Sequence, residues 1–211
     1  MPFLLRVELP DVPCSLGRVA SAIGMAGGDI EAIEIVEKRH HAGTAVDDVL
    51  LETAPTAMPD SIVSACNSLE GVRVLWISRY AAGSNLFLDL EAVEELTADP
   101  EHALNRLVDL LPITFRADWA ARVSKIDGMV HSTAAAPSDI VWQQIDRAEL
   151  IDAADENAIH AAARLNKSEI MVIGRRGGPE FLDSEIARLH HLVGLAMSIS
   201  RAAAKAAAQP N

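Results

Sequence analysis

The hydrophobic period of the first eighty residues alternates between two, which marks a half-buried strand, and about 3.6, which marks an amphipathic helix. Leu5, Val7 and Leu9 fall on one face of a strand, and Pro10 ends it because proline cannot donate to a sheet ladder. Asp11-Val12-Pro13-Cys14 reads as a loop, and Ser15 as the N-cap of a helix whose stripe is Leu16, Val19, Ala20 and Ile23. Gly27-Gly28 closes that helix. Residues 30–37, rich in Ile and Val, read as a strand; His41-Ala42-Gly43-Thr44 is a hairpin turn, and residues 46–53 return. The segment from Pro55 to Pro59 opens a second helix carrying Ile62, Ala65, Cys66 and Leu69, Gly71 ends it, and residues 72–78 form a last strand. This β-α-β-β-α-β order predicts a ferredoxin-like α+β unit over residues 1–80. In it a four-stranded antiparallel sheet packs on two helices, and its edges are prone to pair with another copy.

The small residues 81–84 (Ala-Ala-Gly-Ser) read as a domain boundary. A helix then runs over 85–96 with Leu86, Leu90, Val93 and Leu96 in register, and Asp99-Pro100 starts another with Ala103, Leu104, Leu107, Val108 and Leu111. Strands are expected at 119–124, 128–132, 148–151 and 170–174, and a short helix at 157–165. Asp183 reads as the cap of a long final helix with Ile186, Leu189, Val193 and Met197 on one face, ending in the Ala-rich stretch 202–208.

Charge and composition remove several function classes. The net charge of −12 is shared: residues 1–80 carry 6 basic and 11 acidic side chains, residues 81–211 carry 12 and 19. A phosphate backbone or an anionic membrane is repelled by such a chain. Aromatic residues make up only 4%, so the stacking platforms of nucleic-acid binders are missing as well. No stretch reaches the roughly 18 apolar residues of a membrane span. The N-terminal apolar run ends at Glu8, too early for a signal peptide, and it lacks a small-residue cleavage site. The two cysteines, Cys14 and Cys66, make no disulfide framework and no C-x-x-C, which points to a reducing, cytoplasmic setting.

The loop Asp11-Val12-Pro13-Cys14-Ser15-Leu16-Gly17, taken with Gly27-Gly28-Asp29-Ile30, resembles the ACT family. The usual pattern there is an acidic residue, Pro-Gly at the first helix, then Gly-Asn-Ile entering the second strand. Leu16, Val19, Ile23, Gly28 and Ile30 match it; Cys14 stands where glycine is common and Asp29 where asparagine is. The resemblance covers residues 3–80 and implies an amino-acid site made of Asp11, Val12, Pro13, Cys14, Ser15, Leu16, Gly28, Asp29 and Ile30. In the family the ligand sits between the first loop of one subunit and the start of the second strand in its neighbour, which implies a homodimer. The chemistry agrees: free N–H groups at a helix N-terminus suit an α-carboxylate, and Asp11 and Asp29 suit an α-amino group. The same loop residues also serve as ordinary turn chemistry in a dimerisation module that binds nothing.

Residues 168–200 resemble the end of a GAF domain, and 85–205 is the right length for the whole of one. Glu169 to Gly174 form its late strand, Arg175-Arg176 and a Gly-Gly-Pro turn follow, and Phe181 with Asp183-Ser184-Glu185 precede the helix. The expected architecture is a GAF-like antiparallel sheet flanked by helices. Gly174-Arg175 stands where cyclic-nucleotide-binding members carry Asn-Lys, and this half has no cysteine for tetrapyrrole attachment or sulfoxide reduction.

Other candidates read as structural. His131, Ser132, Thr133 and Trp142 line a possible pocket, but strand neighbours such as His131 and Ser132 face opposite ways and make no dyad. His190-His191 diverge on a helix, and His40-His41 lack a third ligand at metal spacing. Arg175-Arg176 reads as a solvated turn and Cys14 as a small buried hydrophobe, ahead of an anion site and a redox sensor. No catalytic residue, metal or cofactor is expected. The expected protein is a regulator: the ACT unit senses an amino acid at a dimer interface, and the GAF-like unit relays the state, with a protein partner possible. A dimerisation scaffold or a regulatory subunit of a metabolic enzyme is the alternative.

Overall fold

The computed structural model describes residues 2–54, 57–79, 85–153 and 155–208, with residues 85 and 86 described in their backbone only. The chain divides into two compact units, Met1–Ser84 and Asn85–Asn211. The boundary expected at 81–84, Pro55 and the side chain of Leu86 lie outside the described residues.

The first unit runs β1 (Pro2–Pro10), α1 (Ser15–Met25), β2 (Gly28–Arg39), β3 (Thr44–Thr53), α2 (Pro59–Asn67) and β4 (Arg73–Arg79), the order read from the sequence. Its antiparallel sheet has the order β2-β3-β1-β4. Phe3, Leu5, Val7 and Leu9 alternate onto one face with Val49 and Leu51, where Val19 and Ile23 of α1 and Ile62 and Cys66 of α2 cover them. The opposite face of β1 and β3 holds a buried ion pair: Arg6 donates to both carboxylate oxygens of Asp48, at 2.7 and 2.9 Å. Two strong charge-assisted bonds offset part of the cost of taking both charges out of water.

Three details differ from the expectation. Cys14, not Ser15, is the N-cap residue of α1; its φ of 72° is left-handed, and no side chain caps the helix. Cys14 is also exposed, so it is no core hydrophobe, whereas Cys66 is buried, which pushes its thiol pKa up. On α1, Ala22 takes the buried place expected for Ala20.

The second unit runs α3 (Asn85–Ala98), α4 (Ala103–Phe115), β5 (Trp119–Ser124), β6 (Gly128–Ser132), β7 (Ala148–Ile151), β8 (Ala158–Arg164), β9 (Glu169–Arg176) and α5 (Asp183–Ala207). Its five strands are antiparallel in the order β6-β5-β9-β8-β7. One face, with Ala120, Ala161, Ala163, Met171 and Ile173, packs on Leu96, Leu107, Phe115, Leu189 and Val193 of the helices. The other face, with Trp119, Ala121, Val123, Ala162 and Val172, packs on Ile145 and on the half-buried Ala136, Ile140 and Trp142 of the β6–β7 connection. The whole chain is therefore mixed α+β with two antiparallel sheets.

The expected helix at 157–165 is wrong: Ala158–Arg164 is strand β8, paired on one side with β7 and on the other with β9. Ala161, Ala162 and Ala163 favour helix alone, but all three are buried between the two layers, where small side chains let both pack closely; tertiary context overrides propensity. In α3 the buried stripe is Leu88, Ala92 and Leu96, while Leu90 is 55% exposed, so the expected register is rotated. Helix α4 starts after His102 rather than at Asp99-Pro100, and it carries Pro112 inside.

At the start of α5 the N-cap is Leu182, not Asp183: the Leu182 N–H donates to Glu185 Oε2 at 2.9 Å. The other oxygen of Glu185 accepts from Arg175 Nη2 at 2.6 Å. Arg175 is thus no solvated turn residue. It is buried, donates to the Phe115 carbonyl at 2.7 Å, and lies 3.9 Å over the Phe181 ring. The pair ties the end of β9 to the start of α5. Among the described residues no helix is long and apolar enough to cross a membrane.

Candidate functional site

The residues expected to hold a ligand fall into two groups. Asp11, Val12, Pro13 and Cys14 form an exposed loop after β1; Ser15 is buried and Leu16 half-buried at the start of α1. The loop is held by Asp11 N–H donating to the Gly43 carbonyl at 2.9 Å and Ser15 N–H donating to the Val12 carbonyl at 3.2 Å. The left-handed φ of Cys14 turns the chain into the helix, and this is the conformation that favours glycine. Gly28, Asp29 and Ile30 open β2, with Asp29 exposed.

Within one chain the structure does not bring these groups together. Pro10 lies in register with Thr44 and Arg39 at one end of the sheet; Pro2 lies in register with Glu52 and Asp29 at the other. Strand rise puts the ends about 30 Å apart. Residues 28–30 open β2, an edge strand, and the loop lies at the sheet end where β2 finishes, with Lys38 beside Asp11.

Two residues the sequence reading missed stand beside the loop. Lys38 Nζ lies 3.6 Å from Asp11 Oδ1. Asp47 shares the helix-covered face with Val7 and Val49, is only 2% exposed, and its Oδ1 has no hydrogen-bond partner. Burial first, then Asp11 and Asp48, push its pKa up to about 6, against the pull of Lys38. The signal was present: Asp47-Asp48 interrupts an otherwise apolar strand, and Arg6 accounts for only one of the two.

The second unit has its own concavity. Trp119, Gly174, His160 and Ile151 lie in lateral register across β5, β9, β8 and β7. Over that row lies a cavity of about 420 Å³, walled by Pro137, Ile140 and Val141 and rimmed by Asp139, Asp152, Asp155 and Arg176. Gly174 is required by packing, since a Cβ there would stand 2.2 Å from the Trp119 ring. The Trp119 ring meets His160 edge to face, centroids 4.9 Å apart at 82°. Burial lowers the His160 pKa, opposed by Asp139 and Asp155.

The expected pocket residues are used elsewhere. His131 Nε2 is 2.9 Å from Asp109, Thr133 Oγ1 accepts the Ala120 N–H at 3.0 Å, and Trp142 lies under Lys125 at 4.7 Å. Among the described residues no group of three or more His, Cys, Asp or Glu is gathered to hold a metal ion.

No protein-family profile matches the chain. It is 33% identical over 75 residues to the NAD-dependent malic enzyme 1 of Bacillus subtilis (strain 168), a stretch covering 35% of this chain and 17% of that enzyme. The chain thus spans about a sixth of the length of the curated relative it matches. Among solved structures, a formyltetrahydrofolate deformylase from Pseudomonas putida KT2440 aligns over 97% of this chain and 96% of its own at 8% identity and a TM-score of 0.35. An unknown protein from Galdieria sulphuraria aligns over 96% and 92% at 12% identity and a TM-score of 0.33. Neither likeness is close enough to support a fold or a function.

Proposed function

We propose that the chain is a regulatory protein whose first unit is a ferredoxin-like ACT domain that binds an amino acid between two copies, and whose second unit is a GAF-like domain that relays the bound state. One observation carries the reading: residues 28–30 open the edge strand β2, and the loop lies at the opposite end of the sheet, where β2 finishes. When two copies pair their β2 strands antiparallel, loop 11–16 of one comes beside residues 28–30 of the other, and two equivalent sites form by symmetry. At each, the Leu16 and Gly17 N–H groups at the start of α1, which no side chain caps, receive the α-carboxylate. Asp29 of the other copy, with Asp11 and the partnerless Oδ1 of Asp47 nearby, receives the ammonium group. Ligand binding then shifts the geometry of the pair by its differential affinity for the two arrangements.

The 75-residue likeness to part of a malic enzyme favours a second reading, a regulatory subunit of a metabolic enzyme encoded elsewhere. Co-purification with such an enzyme distinguishes the two. The primary test is thermal stability of the full chain against each of the twenty amino acids. A specific binder raises the melting temperature as its concentration passes Kd, and Asp29→Ala removes that shift with the fold intact. No shift with any amino acid, or an unchanged shift in the variant, overturns the assignment.

A further inference from the structure

The cavity on the sheet of the second unit contains a polar group that the fold leaves without a partner. His160 is only 9% exposed, and its Nε2 is buried with no hydrogen bond. A buried polar atom left without a partner is unfavourable, and a ligand atom that pairs with it removes that penalty. The ring is held by its edge-to-face contact with Trp119, itself seated on the Gly174 backbone. The two rings stand nearly perpendicular, and the lining residues Pro137, Ile140, Val141 and Ile151 are apolar. At the mouth three carboxylates, Asp139, Asp152 and Asp155, face one guanidinium, Arg176. Asp155 already accepts the Asn157 N–H at 2.9 Å, so Asp139 and Asp152 are the carboxylates best placed to meet a ligand.

We propose that this cavity binds a small aromatic or heteroaromatic amine. Its ring packs against Trp119 and His160, a polar ring atom or substituent pairs with His160 Nε2, and its cationic amino group points to Asp139 and Asp152. A volume of about 420 Å³ suits a molecule of one or two rings. The neutral imidazole can accept or donate at Nε2, while the acidic mouth favours cations and repels anions. The site lies in a different unit from the proposed amino-acid site and does not depend on it.

The test uses the full chain and three amines: tryptamine, phenethylamine and histamine. Each is compared with an acid bearing the same ring: indole-3-acetate, phenylacetate and imidazole-4-acetate. The readout is the ¹H–¹³C imidazole signal of His160. At least one amine shifts that signal saturably, and its matched acid binds at least about tenfold more weakly, a difference of roughly 1.4 kcal/mol. His160→Phe keeps an aromatic edge on Trp119 but deletes Nε2; it lowers amine affinity at least tenfold, measured by calorimetry. The double variant Asp139→Asn/Asp152→Asn, altered at exposed rim positions, shrinks the gap between amine and acid to under threefold; it carries the test alone if His160→Phe does not fold. Three results overturn the proposal: no amine binding up to about 10 mM, acids binding as tightly as amines, or discrimination unchanged in the double variant.

Discussion

Replacing Asp47 by asparagine should make the first unit more stable at neutral pH, although Asp47 is one of its most buried polar residues. Burial chiefly pushes the pKa of this carboxyl up from its ordinary 3.8 to about 6. A group with a raised folded pKa contributes stability below its unfolded pKa and loses it as pH climbs through its folded pKa. Between about pH 4 and 6 the unfolded chain gives up this proton while the fold retains it, and above about pH 6 the fold carries a buried anion. The gap of about two pH units, at 1.36 kcal/mol each, corresponds to about 3 kcal/mol at pH 8. Asparagine keeps the shape and stays neutral throughout. Urea unfolding followed by far-UV circular dichroism at pH 3, 4, 5, 6 and 8 measures the difference. Asp47→Asn should match wild type near pH 3, gain about half of the full difference by pH 5, and gain roughly 2–3 kcal/mol by pH 8. An equal or lower stability at pH 8, or a difference that does not change with pH, refutes the reasoning.

Asp48→Ala should cost about 3–5 kcal/mol in the same unfolding assay, because it removes both charge-assisted bonds that the buried Arg6 guanidinium makes to this carboxylate. Cys14→Gly should be neutral or stabilising by up to about 1 kcal/mol, since it relieves a left-handed φ and offsets the entropy that glycine adds to the unfolded chain; Cys14→Ala should leave stability within about 0.5 kcal/mol. Gly174→Ala should destabilise the second unit by about 1–3 kcal/mol or more, because Trp119 must move and His160 loses its edge contact; the near-UV dichroism of the tryptophans reports that movement.

The first unit was legible because each of its elements is signalled locally. The alternation of Leu5, Val7 and Leu9, the left-handed glycines 27, 43 and 71 and the 3.6-period stripes agree with one another and with the observed order. The second unit was less legible at β8. An alanine run carries a helix propensity, and nothing local says that β7 and β9 flank it; only the sheet decides. The caps failed for a similar reason. Ser15 and Asp183 are good capping types, but backbone conformation at Cys14 and the reach of Glu185 back to Leu182 set the actual boundaries. Arg175 shows the limit of reading charge as solvation. Its fork finds Glu185 and the Phe115 carbonyl only once β9, α4 and α5 are assembled. At the candidate site, the loop and the start of β2 were visible as sequence patterns. Their separation along an edge strand, and the buried acid beside the loop, were not, because both follow from strand register.

The central claim is that each amino-acid site takes loop 11–16 from one copy and residues 28–30 from another. Subunit mixing measures this directly, using whichever amino acid raises the melting temperature most. Asp11→Ala and Asp29→Ala each disable one half of every site, so each variant alone should fail to bind in calorimetry. Mixed in equal amounts and allowed to exchange, half the dimers carry both variants, and each of those has one site with both halves intact. Binding should return at about a quarter of the wild-type stoichiometry, with wild-type affinity. No recovery on mixing, or full binding by either variant alone, contradicts a site shared between two copies.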